Sequence, residues 1–168
     1  MKSAMYLGLF AIAAIIACPL SAQIAGNASE TDKTFVGKVS QGGMYEVEAS
    51  KVASQKATAQ DVKDLAITEV HDHALVNGEL KKIASTDGIV VAPHLNATFQ
   101  QRLDKLKNTS GQEFDSAYAS DMAQIHDMDE KLFAQEAVDG SGQFKMFAAK
   151  TDLIVKRHIG AIHGADPQ

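Results

Sequence analysis

The chain has 168 residues, with 21 acidic against 16 basic side chains and a formal net charge of −5. That balance argues against a nucleic-acid partner, which calls for a basic patch or stripe. A single cysteine excludes an intrachain disulfide framework, and the length suits about one domain with a real core.

Lys2 gives a short positive start, Met5 to Ala17 is an almost uninterrupted apolar run, and Cys18-Pro19-Leu20-Ser21-Ala22 ends it with small residues and a break. The pattern predicts a secretory signal peptide over residues 1–22, cleaved after Ala22, and a periplasmic or secreted protein. Ile15-Ile16-Ala17-Cys18 also resembles a lipobox, which would make Cys18 a lipidated anchor. Cleavage after Ala22 removes one lysine, no acid and the only cysteine. The mature chain is then more acidic still and gains nothing from disulfides. No later run of 18 apolar residues occurs, so the mature chain is expected to lack a transmembrane span.

Residues 23–31 read as a flexible lead and 32–165 as one domain. From Asp32 the inward positions are Phe35, Val39, Gly42 or Gly43, Glu46, Ala49 and Ala53, which is helical spacing. The glycine pair costs this helix about 1–2 kcal/mol relative to alanines, so it predicts either close packing or a bulge. Thr58 to Asp61 resembles a capping box opening a second helix. Its stripe is Val62, Leu65, Ala66, Glu69, His73, Val76, Leu80 and Ile83, and Gly88 closes it. Glu69 and His73 are four apart and share a face, whereas His71 and Asp72 point elsewhere. The His71-Asp72-His73 triplet is therefore not a three-ligand cluster.

Ile89 to Pro93 is an extended connection, and His94 to Asn108 is a short helix with Leu95, Phe99, Leu103 and Leu106. It either crosses the bundle or runs back along it. Ser110 and Glu113 cap a third long helix with Phe114, Tyr118, Met122, Ile125, His126, Asp129 and Phe133 inward, and Asp139-Gly140-Ser141-Gly142 breaks it. The last helix buries Phe144, Phe147, Thr151, Ile154 or Val155, His158 and Ile162. Met44, Met122, Met128 and Met146 read as core filler. His163 falls off the inward face, and His94 precedes the short helix with no obvious partner. Nothing alternates with period two, so the expected class is all-α: an up-and-down four-helix bundle with one additional short helix.

Across four segments, the residues carrying the resemblance run from Phe35 and Gly42-Gly43-Met44 with Glu46-Val47-Glu48, through Leu65-Ala66, Asp72-His73, Asn77 and Glu79-Leu80. They continue through Phe114-Asp115, Tyr118, Met122, His126, Phe133, Phe147-Ala148 and His158. In these the chain resembles the bacterial exported family known as domain of unknown function 4142, grouped with ferritin-like bundles. The resemblance implies that fold, export, and motifs around Asp72-His73 and His126. It implies no activity. One departure is Asp152-Leu153, where such proteins often carry Leu-Pro near the start of the last helix.

Four polar side chains interrupt the apolar stripes: Glu46, His73, His126 and His158. Each sits near mid-helix, so a bundle brings them to one level. Burying such a group without a partner costs roughly 1–3 kcal/mol. Three imidazoles and a carboxylate suit a transition-metal ion such as iron or zinc. Glu69, Asp72 and Asp129 would orient the imidazoles or serve as alternative ligands. The Glu-x-x-His motif of a di-iron bundle is absent from the sequence, so that centre has little support. No nucleophile elbow or phosphate-cradling glycine motif occurs either. The competing reading is a structural polar layer of hydrogen-bonded His and Glu, in a non-enzymatic envelope-stress or protein-interaction module. Buried neutral histidines that charge near pH 5–6 would add acid sensitivity to either reading.

Overall fold

The structure, a computed structural model, describes residues 28–164. The signal peptide and the Cys18 lipobox lie outside them. Five helices and no strand occur among the described residues: α1 (Glu30–Lys56), α2 (Gln60–Thr86), α3 (Ala97–Lys107), α4 (Gly111–Asp139) and α5 (Gly142–Gly164).

Helix α1 starts two residues before the apolar stripe suggests, because Ser29 and Asp32 form a reciprocal capping box. The Ser29 hydroxyl accepts from the Asp32 amide at 3.1 Å, and the Asp32 carboxylate accepts from the Ser29 amide. The glycine pair lies in unbroken α-helix, so close packing, not a bulge, is its structural consequence. A Cβ on Gly43 would collide with Asn77 Oδ1 of α2.

The capping box expected at Thr58–Asp61 does not form. Ala59 is the N-cap of α2 and contributes no side-chain bond. Asp115 of α4 supplies the acceptor instead, taking the Thr58 amide at 3.0 Å, the Ala59 amide at 2.9 Å and the Thr58 hydroxyl. Ser110 likewise makes no side-chain cap to α4. Gly88 closes α2 at φ 71°, where an L side chain would be strained. The Asp152-Leu153 departure falls in the middle of α5, not at its start.

Cross-helix contacts give the topology. Glu46 meets His73 and Gly43 meets Asn77, so α1 and α2 are antiparallel. Phe133–Phe147 and His126–His158 make α4 and α5 antiparallel. Ser50–Tyr118 with Gly42–Asp129 does the same for α1 and α4, and Asp72–His158 with Glu79–Lys150 for α2 and α5. All four edges of the bundle are thus antiparallel, and residues 87–110 carry the chain from one end to the other. Within that crossover α3 runs back along α1, marked by Gln41 to the His94 carbonyl, Tyr45 stacked on Phe99 at 5.1 Å, and Lys56 bonded to the Lys107 carbonyl. This is the ferritin-like arrangement, with one long crossover.

The core comes in two parts. One, around Tyr45, Val62, Leu65, Phe114, Tyr118 and Met122, fills the end where α2 begins. The other, around Phe35, Val76, Leu80, Phe133, Phe144 and Phe147, fills the opposite end. Polar residues occupy the level between them. Met122 is core, and Met44 is half-buried, but Met128 and Met146 are exposed, which corrects their reading as filler. Both project from the outer faces of amphipathic helices, where side-chain type is weakly constrained.

A second polar junction ties the Phe133 end together. Asp32 accepts the Ser141 amide at 2.9 Å and the Ser141 hydroxyl, and Glu136 lies buried beside it. Burial, joined by the hydrogen bond and charge of Asp32, lifts the Glu136 carboxyl to about 7. Burial also pushes Asp32 upward, but its bonds to Ser141, Glu136 and Ser29 outweigh this and hold it below the ordinary range. A raised folded value means that the Glu136 contribution to stability is complete below its ordinary 4.5 and is lost as pH rises through about 7. Asp32 works the other way, losing its contribution only in stronger acid. Wild-type melting temperature is therefore expected to fall from pH 5 to 8 relative to Glu136→Gln, which keeps its hydrogens throughout. Parallel curves for the two proteins over that range would contradict this assignment.

Candidate metal centre

Between the two apolar clusters, one side chain from α2, one from α4 and one from α5 bring imidazoles together: His73, His126 and His158, all at most 3% exposed. Their ring centroids are 5.2–5.4 Å apart. Glu69, one turn before His73 on α2, puts its carboxylate among all three. Its Oε2 lies 3.0 Å from His73 Nε2 and 3.4 Å from His126 Nε2, and its Oε1 lies 3.1 Å from His158 Nδ1.

Two of the rings have their outward nitrogens committed. His126 Nδ1 donates to the Met122 carbonyl at 2.9 Å, a bond made within α4. His158 Nε2 donates to Asp72 Oδ2 at 3.0 Å, and Arg157 also bonds that oxygen. A neutral imidazole with one nitrogen donating carries a lone pair on the other. His126 Nε2 and His158 Nδ1 therefore face each other at 3.2 Å with lone pairs converging, beside a carboxylate. Both oxygens of Glu69, and Nε2 of His73, are buried without a hydrogen-bond partner. This arrangement is repulsive unless a cation, a proton or a metal ion, lies among the four groups.

One donor atom from each of Glu69, His73, His126 and His158 falls within 4.8 Å of the others. Metal–ligand bonds of about 2.0–2.1 Å in tetrahedral geometry put ligand atoms roughly 3.3 Å apart. Three separations are near that edge: Glu69 Oε2 to His73 Nε2 at 3.0 Å and to His126 Nε2 at 3.4 Å, and His126 Nε2 to His158 Nδ1 at 3.2 Å.

Glu46 is also at the centre, on the far side of His73 and His126. Its Oε2 is 3.0 Å from His73 Nδ1 and its Oε1 is 3.6 Å from His126 Nδ1, and neither oxygen has an aligned hydrogen bond. The carboxylate among the three inward nitrogens is thus that of Glu69, while Glu46 backs two of the rings from outside. Asp72 reaches the centre only through the outer nitrogen of His158. Asp129 sits one turn from His126, buried against Gly42. His71, His94 and His163 are exposed.

Electrostatics separates the acids. Burial raises Glu69, but the three imidazoles close around it at 3.0–3.4 Å outweigh that and hold the carboxylate far below its ordinary range. Burial pulls His126 down, yet Glu69 and Glu46 overturn that and lift it to about 9. Burial dominates at His73, which is lowered, and at Glu46, which is raised with help from Asp129. Asp129 is pushed up to about 7 by burial. The centre thus holds an ionised carboxylate and a strong preference for a positive charge beside it.

The sequence assigned no polar role to Asp115, Asp32, Glu136 or the pair of hydroxyls at Ser50 and Tyr118. Glu136 sits at a helical interval from Phe133, which was the available signal. Asp115 carried no local capping signal, since its partners are 56 and 57 residues away.

No curated protein matches the chain. Among solved structures it is similar to the crystal structure of a DUF305 fragment from Deinococcus radiodurans, with a TM-score of 0.72 over 82% of this chain and 95% of that one. Identity is 10%, so the likeness is one of fold. The profile of the domain of unknown function family DUF4142 matches residues 17–164, and the chain belongs to that family.

Proposed function

We propose that this protein binds one divalent transition-metal ion through His73, His126, His158 and Glu69, and serves to hold or buffer that ion outside the cytoplasm. The observation that carries this reading is the pair of facing lone pairs on His126 and His158 beside the orphaned oxygens of Glu69. Three imidazoles and one carboxylate are a donor set for zinc or iron, and four convergent protein ligands favour tetrahedral zinc. Full burial of all four ligands supports a binding role over a catalytic one, because a catalytic ion keeps a coordination position open. Glu46, Asp72 and the Met122 carbonyl back the three rings, in the way that outer acceptors fix liganding imidazoles. Export rests on the N-terminal sequence pattern.

A second reading has its own support. The lift of His126 to about 9 supplies a proton as the central cation, leaving a structural polar layer that fixes helix register. Thermal melts separate the two. With metal, EDTA is expected to lower the wild-type melting temperature, zinc to restore it, and His73→Ala to respond to neither. Identical melts of wild type with EDTA and with zinc would favour the polar layer.

A further inference from the structure

A surface cavity of about 300 Å³ opens between α1 and α4 beside the centre. Its walls are mainly apolar, from Phe99, Ile125, Met128 and Leu132, but its lining also includes Gly42 and the carboxylate of Asp129. Asp129 is only 4% exposed. Burial and the charges of His126 and Glu69 set its environment, with no hydrogen bond contributing. A carboxylate without a hydrogen-bond partner in an apolar wall is costly as the anion, and either a proton or a cation offsets that cost.

The geometry leads inward from there. A Cβ at Gly42 would stand 3.6 Å from Asp129 Oδ1 and 3.7 Å from the tip of Ile125, so the missing side chain leaves the carboxylate open at this point. One turn deeper on α1 is Glu46, and one turn back on α4 is His126. Both Glu46 oxygens are buried and without hydrogen bonds, at 3.0 Å and 3.6 Å from the outer nitrogens of His73 and His126. Asp129, Glu46 and Glu69 are therefore three acids that feel one another's charge, Asp129 at the cavity, Glu46 at the outer nitrogens of His73 and His126, and Glu69 at their inner ones. Lys38 lines the rim and is exposed, so attraction for a cation comes from the buried carboxylates and not from the mouth.

We propose that the Gly42–Asp129 cavity is the route by which a divalent cation reaches the centre, with Asp129 its first protein ligand and Glu46 the relay to the histidines. This rests on the metal reading above. A divalent ion sheds its water reluctantly, and fixed carboxylates along the path replace that water stepwise. The relay ligands act during transfer, so they govern the rate of loading more than final occupancy.

The test is stopped-flow loading of metal-free full-length protein with Co²⁺, followed by its visible absorption, in wild type, Asp129→Asn and Gly42→Val. Asparagine keeps the shape of Asp129 and removes its charge, whereas valine fills the opening. Gly42→Ala, whose Cβ meets only ordinary contacts, provides a milder second constriction that should leave folding intact. Asp129→Asn and Gly42→Val are expected to reach the wild-type final absorbance about tenfold more slowly, the effect of about 1.4 kcal/mol on the barrier, with Gly42→Ala between. Wild-type loading rates in Asp129→Asn and in both Gly42 variants would overturn the route while leaving the metal centre standing. Loss of final absorbance in folded Asp129→Asn would also overturn it, making Asp129 a permanent ligand. No cobalt spectrum in wild type would remove the metal reading and the route together.

Discussion

Glu69→Gln is expected to yield a folded protein that no longer takes up metal and whose melting temperature ignores EDTA. Glutamine keeps the volume of Glu69 but withdraws the charge that touches all three imidazoles, at 3.0 Å, 3.4 Å and 3.1 Å. An ion present at about a thousand times its dissociation constant stabilises a protein by about 4 kcal/mol. For a domain of this size that is roughly 10 °C of melting temperature. Wild type should lose that margin on chelation, and the variant should begin without it. The variant bears a second cost, because His126 prefers its charged form only while Glu69 and Glu46 surround it. Removing one partner of a buried ionic group costs about 3–5 kcal/mol. Metal-free Glu69→Gln should consequently melt below metal-free wild type. A variant that still gains stability from zinc would show that Glu69 is not a ligand.

Phe133→Ala is expected to cost about 3–5 kcal/mol, a large share of the roughly 5–15 kcal/mol that holds a domain together. Phe133 is 1% exposed and sits at the junction of three helices. Its ring meets Phe35 of α1 edge-on at 5.2 Å and Phe147 of α5 at 6.0 Å, and Phe35 and Phe147 are themselves 6.3 Å apart. No single neighbour can move to fill the space, because the rings come from different helices. Urea unfolding should show the loss as a lower midpoint. Leu153→Ala, at an exposed position on α5, should change stability by less than about 0.5 kcal/mol. Similar losses in the two variants would mean that the Phe35–Phe133–Phe147 cluster does not anchor this end of the bundle.

Helix faces were legible in the sequence because burial repeats with the helical period. Every position on the inward stripes read along α1, α2 and α4 is buried, including Glu46, Glu69, His73, His126 and Asp129, whereas Met128, read as core filler, is exposed. The level of the polar layer was legible too, since mid-helix residues of antiparallel neighbours meet whatever the connection. Which carboxylate stands among the rings was not. Glu46 and Glu69 both face inward, and the choice depends on the axial offset of α1 against α2, which the packing of Gly43 on Asn77 fixes. The direction of α3 was likewise open, because its apolar stripe serves either path. Contacts from Gln41 to His94 and from Tyr45 to Phe99 decide it. Capping failed for a related reason. Local spacing pointed to Thr58 and Asp61, whereas Asp115 reaches the Thr58 and Ala59 amides from another helix.

Metal content per chain, measured by mass spectrometry on untagged wild-type protein beside His73→Ala, decides whether the His73–His126–His158–Glu69 centre holds an ion. Close to one transition-metal ion per wild-type chain and almost none in the variant is the expected result. Wild-type protein that carries no metal, even after incubation with zinc and with ferrous iron, would contradict it.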